Sequence, residues 1–84
     1  MKDLRSDVRE VLRDHARLPE GVEHLTDDAD LFQAGMTSHA SVNLMLALED
    51  TFDIEFPDSM LKRSVFESVT RIALAVGELQ EQAA

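Results

Sequence analysis

The 84-residue chain has no cysteine, so it can form neither a disulfide framework nor a thiolate metal site; this agrees with a reducing compartment. Cations are scarce. Eight Lys and Arg stand against 17 Asp and Glu, for a formal net charge of −9. A binder of nucleic-acid phosphates needs clustered Lys and Arg, which excludes that class. An acidic surface attracts basic protein partners over about 8–10 Å at cellular salt, and it also keeps a small domain solvated. Long apolar runs are missing too. The longest, residues 44–48 and 72–76, fall far short of the ~20 residues that span a bilayer. The opening "MKDLRSDVRE" is charged where a signal peptide is apolar. A cytoplasmic protein without a membrane or nucleic-acid role is expected, and residues 1–84 suffice for one small domain with little room for a catalytic cavity.

Helical periodicity dominates what is present. Strand-like alternation and internal repeats are both absent. Leu4, Val8, Val11 and Leu12 share one face of a first helix over residues 3–16. "LPEG" stops it, because Pro19 disfavours helix before it and Gly21 permits a turn. The following stretch to Thr37 is long for a connection in a compact domain, and such loops are usually functional or disordered. An ordered loop is expected, pinned by Leu25, Leu31 and Phe32, with a single turn in "DADLFQAG" ended by Gly35.

A second helix is predicted over residues 38–51, with Ser38 as its N-cap and Leu44, Met45, Leu48 and Phe52 as its core stripe. "FPDSMLKR" reads as a short third helix: Pro57 ends the preceding extended piece, and Asp58 caps the turn that carries Met60 and Leu61. Ser64 and Glu67 have capping-box spacing, with Ser68 as a rival cap. Val69, Ile72, Val76 and Leu79 then mark a fourth helix ending near Gln80, its last turn weakened by Gly77. The expected fold is all-α: a small irregular four-helix bundle with a long loop between helices 1 and 2 and a short third helix.

Ser38 has two readings. At a helix start its hydroxyl lies beside unsatisfied backbone N–H groups and the positive end of the helix dipole. It is either a plain N-cap, the commoner case, or a site for an attached anion such as a phosphodiester. A hydrolase pair with His39 fails, because adjacent helical residues project about 100° apart. The Gly-x-Ser-x-Gly elbow is missing, and His15 and His24 are distant without metal-ligand spacing. "DDADLFQAG" lacks the oxygen ligand and turn glycine of a calcium loop, where it has Phe32 and Gln33. No catalytic residue and no metal site is expected. Val42 and Leu46 form a second apolar stripe in line with Ser38 and close to His39. Either that helix is buried on both sides, or the stripe receives a partner, which is the expectation for so small a bundle.

The segment "GMTSHASVNLMLALEDTFDIEFPD" resembles the central segment of acyl and peptidyl carrier proteins, in which Gly-x-x-Ser precedes a helix and an acidic, aromatic and proline tail. "DADLFQAG" upstream and "KRSVFESVTRIA" downstream fit as well, so the resemblance covers nearly the whole chain. It implies the four-helix fold and makes Ser38 the residue to which a phosphopantetheinyl transferase joins 4′-phosphopantetheine. The arm ends in the thiol that this chain lacks, and cargo rides on it as a thioester. The chain departs from the family at Thr37, where Asp is common, at His39, where Leu is usual, and at Ala40, Ser41 and Asn43, positions often acidic in fatty-acid carriers. That pattern is similar to small free-standing aminoacyl carriers served by seryl-tRNA-synthetase-like amino acid:carrier protein ligases. The resemblance thus implies a non-catalytic aminoacyl carrier, a monomer when free, docking through Thr37, His39, Val42 and Leu46. The alternatives are a fatty-acyl or polyketide carrier and an unmodified helical interaction domain.

Overall fold

The computed structural model describes residues 4–16, 18 and 21–83. Among them are three α-helices: α1 (Leu4–His15), α2 (Ser38–Phe52) and α3 (Val69–Ala83). The expected third helix is instead two single 3₁₀ turns, Asp58–Met60 and Arg63–Val65. The reason is length. Asp58 to Val65 is too short to repay the entropy of nucleating an α-helix, so the chain closes two tighter turns. Leu61 (φ −84, ψ 63) breaks the helical path between them.

α1 buries Val8, Val11 and Leu12, the face its periodicity predicts, and packs on both α2 and α3. α2 contributes Leu44 and Leu48, both 0% exposed. Met45 and Phe52, expected in the same stripe, are only partly buried against the core. Glu49 organises the exit of α2. Its carbonyl accepts from Asp53 and Ile54, and its carboxylate accepts from the Phe56 amide at 2.8 Å. Phe56 is thereby turned inward to meet Phe66, ring centroids 5.3 Å apart and tilted 59°.

Ser68 rather than Ser64 starts α3: its buried hydroxyl accepts from the Arg71 amide at 3.1 Å. α3 buries Val69, Ile72, Ala73, Ala75, Val76 and Leu79. It continues to Ala83, past the expected end near Gln80. The gap at Gly77 is covered by Leu4 of α1, whose Cδ1 lies 3.4 Å from where a Cβ would stand.

The long loop is ordered, as expected, and Leu31 at its centre is fully buried with Leu25 and Phe32 packed beside it. Gly21 takes the left-handed region at φ 78; Pro19, the expected helix stop, lies outside the described residues. What holds the loop is Arg9. Its guanidinium donates to the Val22 carbonyl (3.0 Å), the Leu25 carbonyl (2.7 Å) and, from Nε and NH2, Asp27 Oδ1 (3.1 and 2.7 Å). At the far side the Thr70 amide donates to the Asp27 carbonyl, and the Leu31 amide to Glu67 at 2.7 Å. The loop therefore bridges α1 and the start of α3, and it delivers the chain to α2 in a fixed direction.

Candidate functional site

Three successive residues set up the start of α2. Gly35 ends the loop turn at φ 115, a backbone region open to glycine and costly for other residues. Met36 is buried and its amide donates to the Leu31 carbonyl at 3.0 Å, which anchors the chain to the core. Thr37 is then extended (φ −86, ψ 164), and its hydroxyl accepts from the Ala40 amide at 3.0 Å. Thr37, not Ser38, is the N-cap. The sequence expectation is off by one residue because Thr and Ser are both good caps and stand side by side.

The shift matters chemically. Ser38 becomes the first helical residue, exposed, with its carbonyl accepting from the Ser41 hydroxyl at 2.7 Å. Its own hydroxyl makes no hydrogen bond among the described residues, so an attached group would displace no cap. Helix-start amides without intrahelical acceptors and an absence of acidic residues in the first turn favour an anion at that oxygen.

Ser38 lines a groove of about 300 Å³. Phe32, Val42, Met45, Leu61 and Phe66 form its apolar walls, and Lys62 and Arg63 add two cations. The Arg63 guanidinium carbon lies 4.3 Å from the centre of the Phe32 ring, a cation–π contact that ties the second 3₁₀ turn to the loop. Sequence spacing does not reveal these cations, because Lys62 and Arg63 lie 24 and 25 positions beyond Ser38 and only the fold brings them together. A second cavity of about 420 Å³ at the helix start is lined by Ala16, Gly35, Thr37, His39, Ala40 and Asn43.

Val42 and Leu46, the second stripe of α2, are 52% and 53% exposed. Thr37, Ser38 and His39 are exposed as well. Asp30, in the segment that superficially suggests a calcium loop, turns its carboxylate onto the amides of Phe32 (2.9 Å) and Gln33 (3.3 Å).

The described residues present an unengaged serine hydroxyl at a helix start, beside a groove and an open apolar stripe, a geometry suited to carrying an attached group. The chain belongs to the family described as phosphopantetheine attachment site, whose pattern matches residues 3–76. Its members are carriers, and their cofactor is covalent 4′-phosphopantetheine. The chain is 46% identical over 69 residues to an aminoacyl carrier protein of Agrobacterium fabrum, covering 82% of this chain and 83% of the relative. It superposes with a TM-score of 0.87 and 43% identity on a chain in a crystal structure of engineered Bradyrhizobium japonicum glycine:[carrier protein] ligase complexed with carrier protein from Agrobacterium tumefaciens and ATP, covering 90% of this chain and 99% of that one. A solution structure of a holo acyl carrier protein from Nitrosomonas europaea matches with a TM-score of 0.79 and 31% identity, over 96% and 99% of the two chains.

Proposed function

We propose that the chain carries an aminoacyl group as a thioester on a 4′-phosphopantetheine arm attached to Ser38, loaded by an ATP-dependent amino acid:carrier protein ligase. The free Ser38 hydroxyl at a helix start capped by its neighbour is the observation that supports the attachment residue. The similarity to an Agrobacterium aminoacyl carrier supports the cargo class. A phosphopantetheinyl transferase would form the bond from Ser38 Oγ to the phosphorus of the pantetheine phosphate and break the pyrophosphate bond of coenzyme A, releasing adenosine 3′,5′-bisphosphate and the hydroxyl proton. The arm supplies the thiol; at roughly the length of five extended residues, about 17 Å, it reaches well clear of the helix when extended. The chain acts as a single carrier domain, as a monomer when free, in the cytoplasm. Among the described residues no helix is long and apolar enough to cross a membrane.

The exposed surface of Thr37, His39, Val42 and Leu46 is the docking face for the ligase in this reading. The first turn of α2 carries no acidic residue, so this face offers apolar contact in place of acidic charge steering. The deciding experiment incubates the holo chain with ATP, glycine and the rhizobial glycine:[carrier protein] ligase and follows intact mass. A gain equal to one glycyl group supports the aminoacyl reading. Loading by a fatty-acyl carrier ligase and not by the amino acid ligase would transfer the chain to the fatty-acyl alternative.

A further inference from the structure

The groove beside Ser38 has the opposite electrical character to the rest of the molecule. In a chain of net charge −9, no Asp or Glu lines it, whereas Lys62 and Arg63 both do. Neither cation forms an ion pair with a described residue. Arg63 is also positioned, by its stacking on Phe32. The groove is small, about 300 Å³, and both cations line it, so both bear on an occupant. Both side chains are exposed, so solvent screening keeps their effect modest.

We propose that this groove sorts by charge: it seats the phosphodiester end of the arm and turns away a cargo that bears an ammonium group. The inference rests on the attachment of the arm to Ser38. Because Ser38 itself lines the groove, a phosphodiester on its oxygen is held beside the two cations and offsets them in part. An uncharged acyl chain folding back meets Val42, Met45 and Leu61 and removes apolar surface from water by doing so. An α-ammonium of similar size would lose hydration there and be repelled by Lys62 and Arg63. An aminoacyl thioester is therefore displayed in solvent, open to the next enzyme, while a plain acyl thioester is partly withdrawn.

Glycyl and propionyl thioesters make a matched pair, since an ammonium in one replaces a methyl in the other. Each is installed on the full chain from its coenzyme A thioester by a transferase, confirmed by intact mass, and compared with the holo form by methyl NMR. The spectra are taken near about pH 6, where an α-amino group is charged. Propionyl should shift the Val42, Met45 and Leu61 methyls, with the glycyl form smaller by about threefold, within the range that exposed charges support. In Lys62→Glu, and in Lys62→Glu with Arg63→Gln, that difference should disappear while the urea midpoint stays near wild type. Equal shifts from the two cargoes, no shift from either, or a difference that survives both variants would overturn the sorting role and leave the carrier reading intact. Failure of the wild-type chain to gain the arm would overturn the attachment reading and the sorting role together.

Discussion

Replacing Arg9 with alanine removes the clamp on the long loop. Four hydrogen bonds are lost at once, two to the carbonyls of Val22 and Leu25 and two to Asp27. A hydrogen bond to a charged group contributes about 1.5–3 kcal/mol net when well buried. The Arg9 and Asp27 side chains are 25% and 32% exposed, so the ionic part is discounted for solvent screening. Asp27 also keeps Arg5 at 3.1 Å. The two carbonyls can recover water if the loop lifts. Together these leave an expected loss of about 2–3 kcal/mol, large for a domain whose total stability is of order 5–15 kcal/mol. Urea unfolding followed by circular dichroism measures it. Hydrogen exchange should localise it, with the Leu31 and Thr70 amides, which bridge the loop to α3, exchanging faster than amides in mid-α1. Arg9→Lys should recover only a minority of the loss, because one ammonium cannot reach three separated acceptors as a planar guanidinium does. An unchanged midpoint in Arg9→Ala, or full recovery by lysine, would refute the clamp.

Thr37→Ala should lower stability by about 1 kcal/mol in urea unfolding, because it removes the cap on Ala40, whereas Ser38→Ala should leave the midpoint nearly unchanged. Gly77→Ala should raise stability by about 0.5–1 kcal/mol, since the added methyl meets only the flexible end of Leu4; a lower melting temperature would show that Leu4 cannot give way. Val42→Asp and Leu46→Asp should stay within about 0.5 kcal/mol of wild type by thermal unfolding. The same two changes should slow loading by the ligase about tenfold, a loss of about 1.4 kcal/mol, and a wild-type loading rate would remove this stripe from the docking face.

The parts of this structure that were legible in the sequence are those with local causes. Val8, Val11 and Leu12 face the core because their spacing matches one helical face, and Leu44 and Leu48 do so for the same reason. Val42 and Leu46 read correctly as surplus to a small core. The errors arose where two local choices were nearly equal. Thr37 and Ser38 are neighbouring cap types, and the tertiary path through buried Met36 decides between them. The residues after Pro57 carry helix signals over too short a span, so they resolve into two 3₁₀ turns. What could not be read is what only the fold assembles: Arg9 reaching 13 to 18 residues along the chain to its loop partners, and Lys62 and Arg63 meeting Ser38 across a groove. Neither set has a spacing rule, because loop acceptors are backbone atoms and surface cations are common.

The attachment of the arm to Ser38 is the claim on which the account turns, and intact-mass spectrometry tests it directly. Wild-type chain and Ser38→Ala are each incubated with coenzyme A and a phosphopantetheinyl transferase, with urea unfolding confirming that both are folded. The wild type should gain the mass of one 4′-phosphopantetheine group and the variant none. A wild-type chain that gains nothing, or a Ser38→Ala chain that still gains the arm, would contradict it.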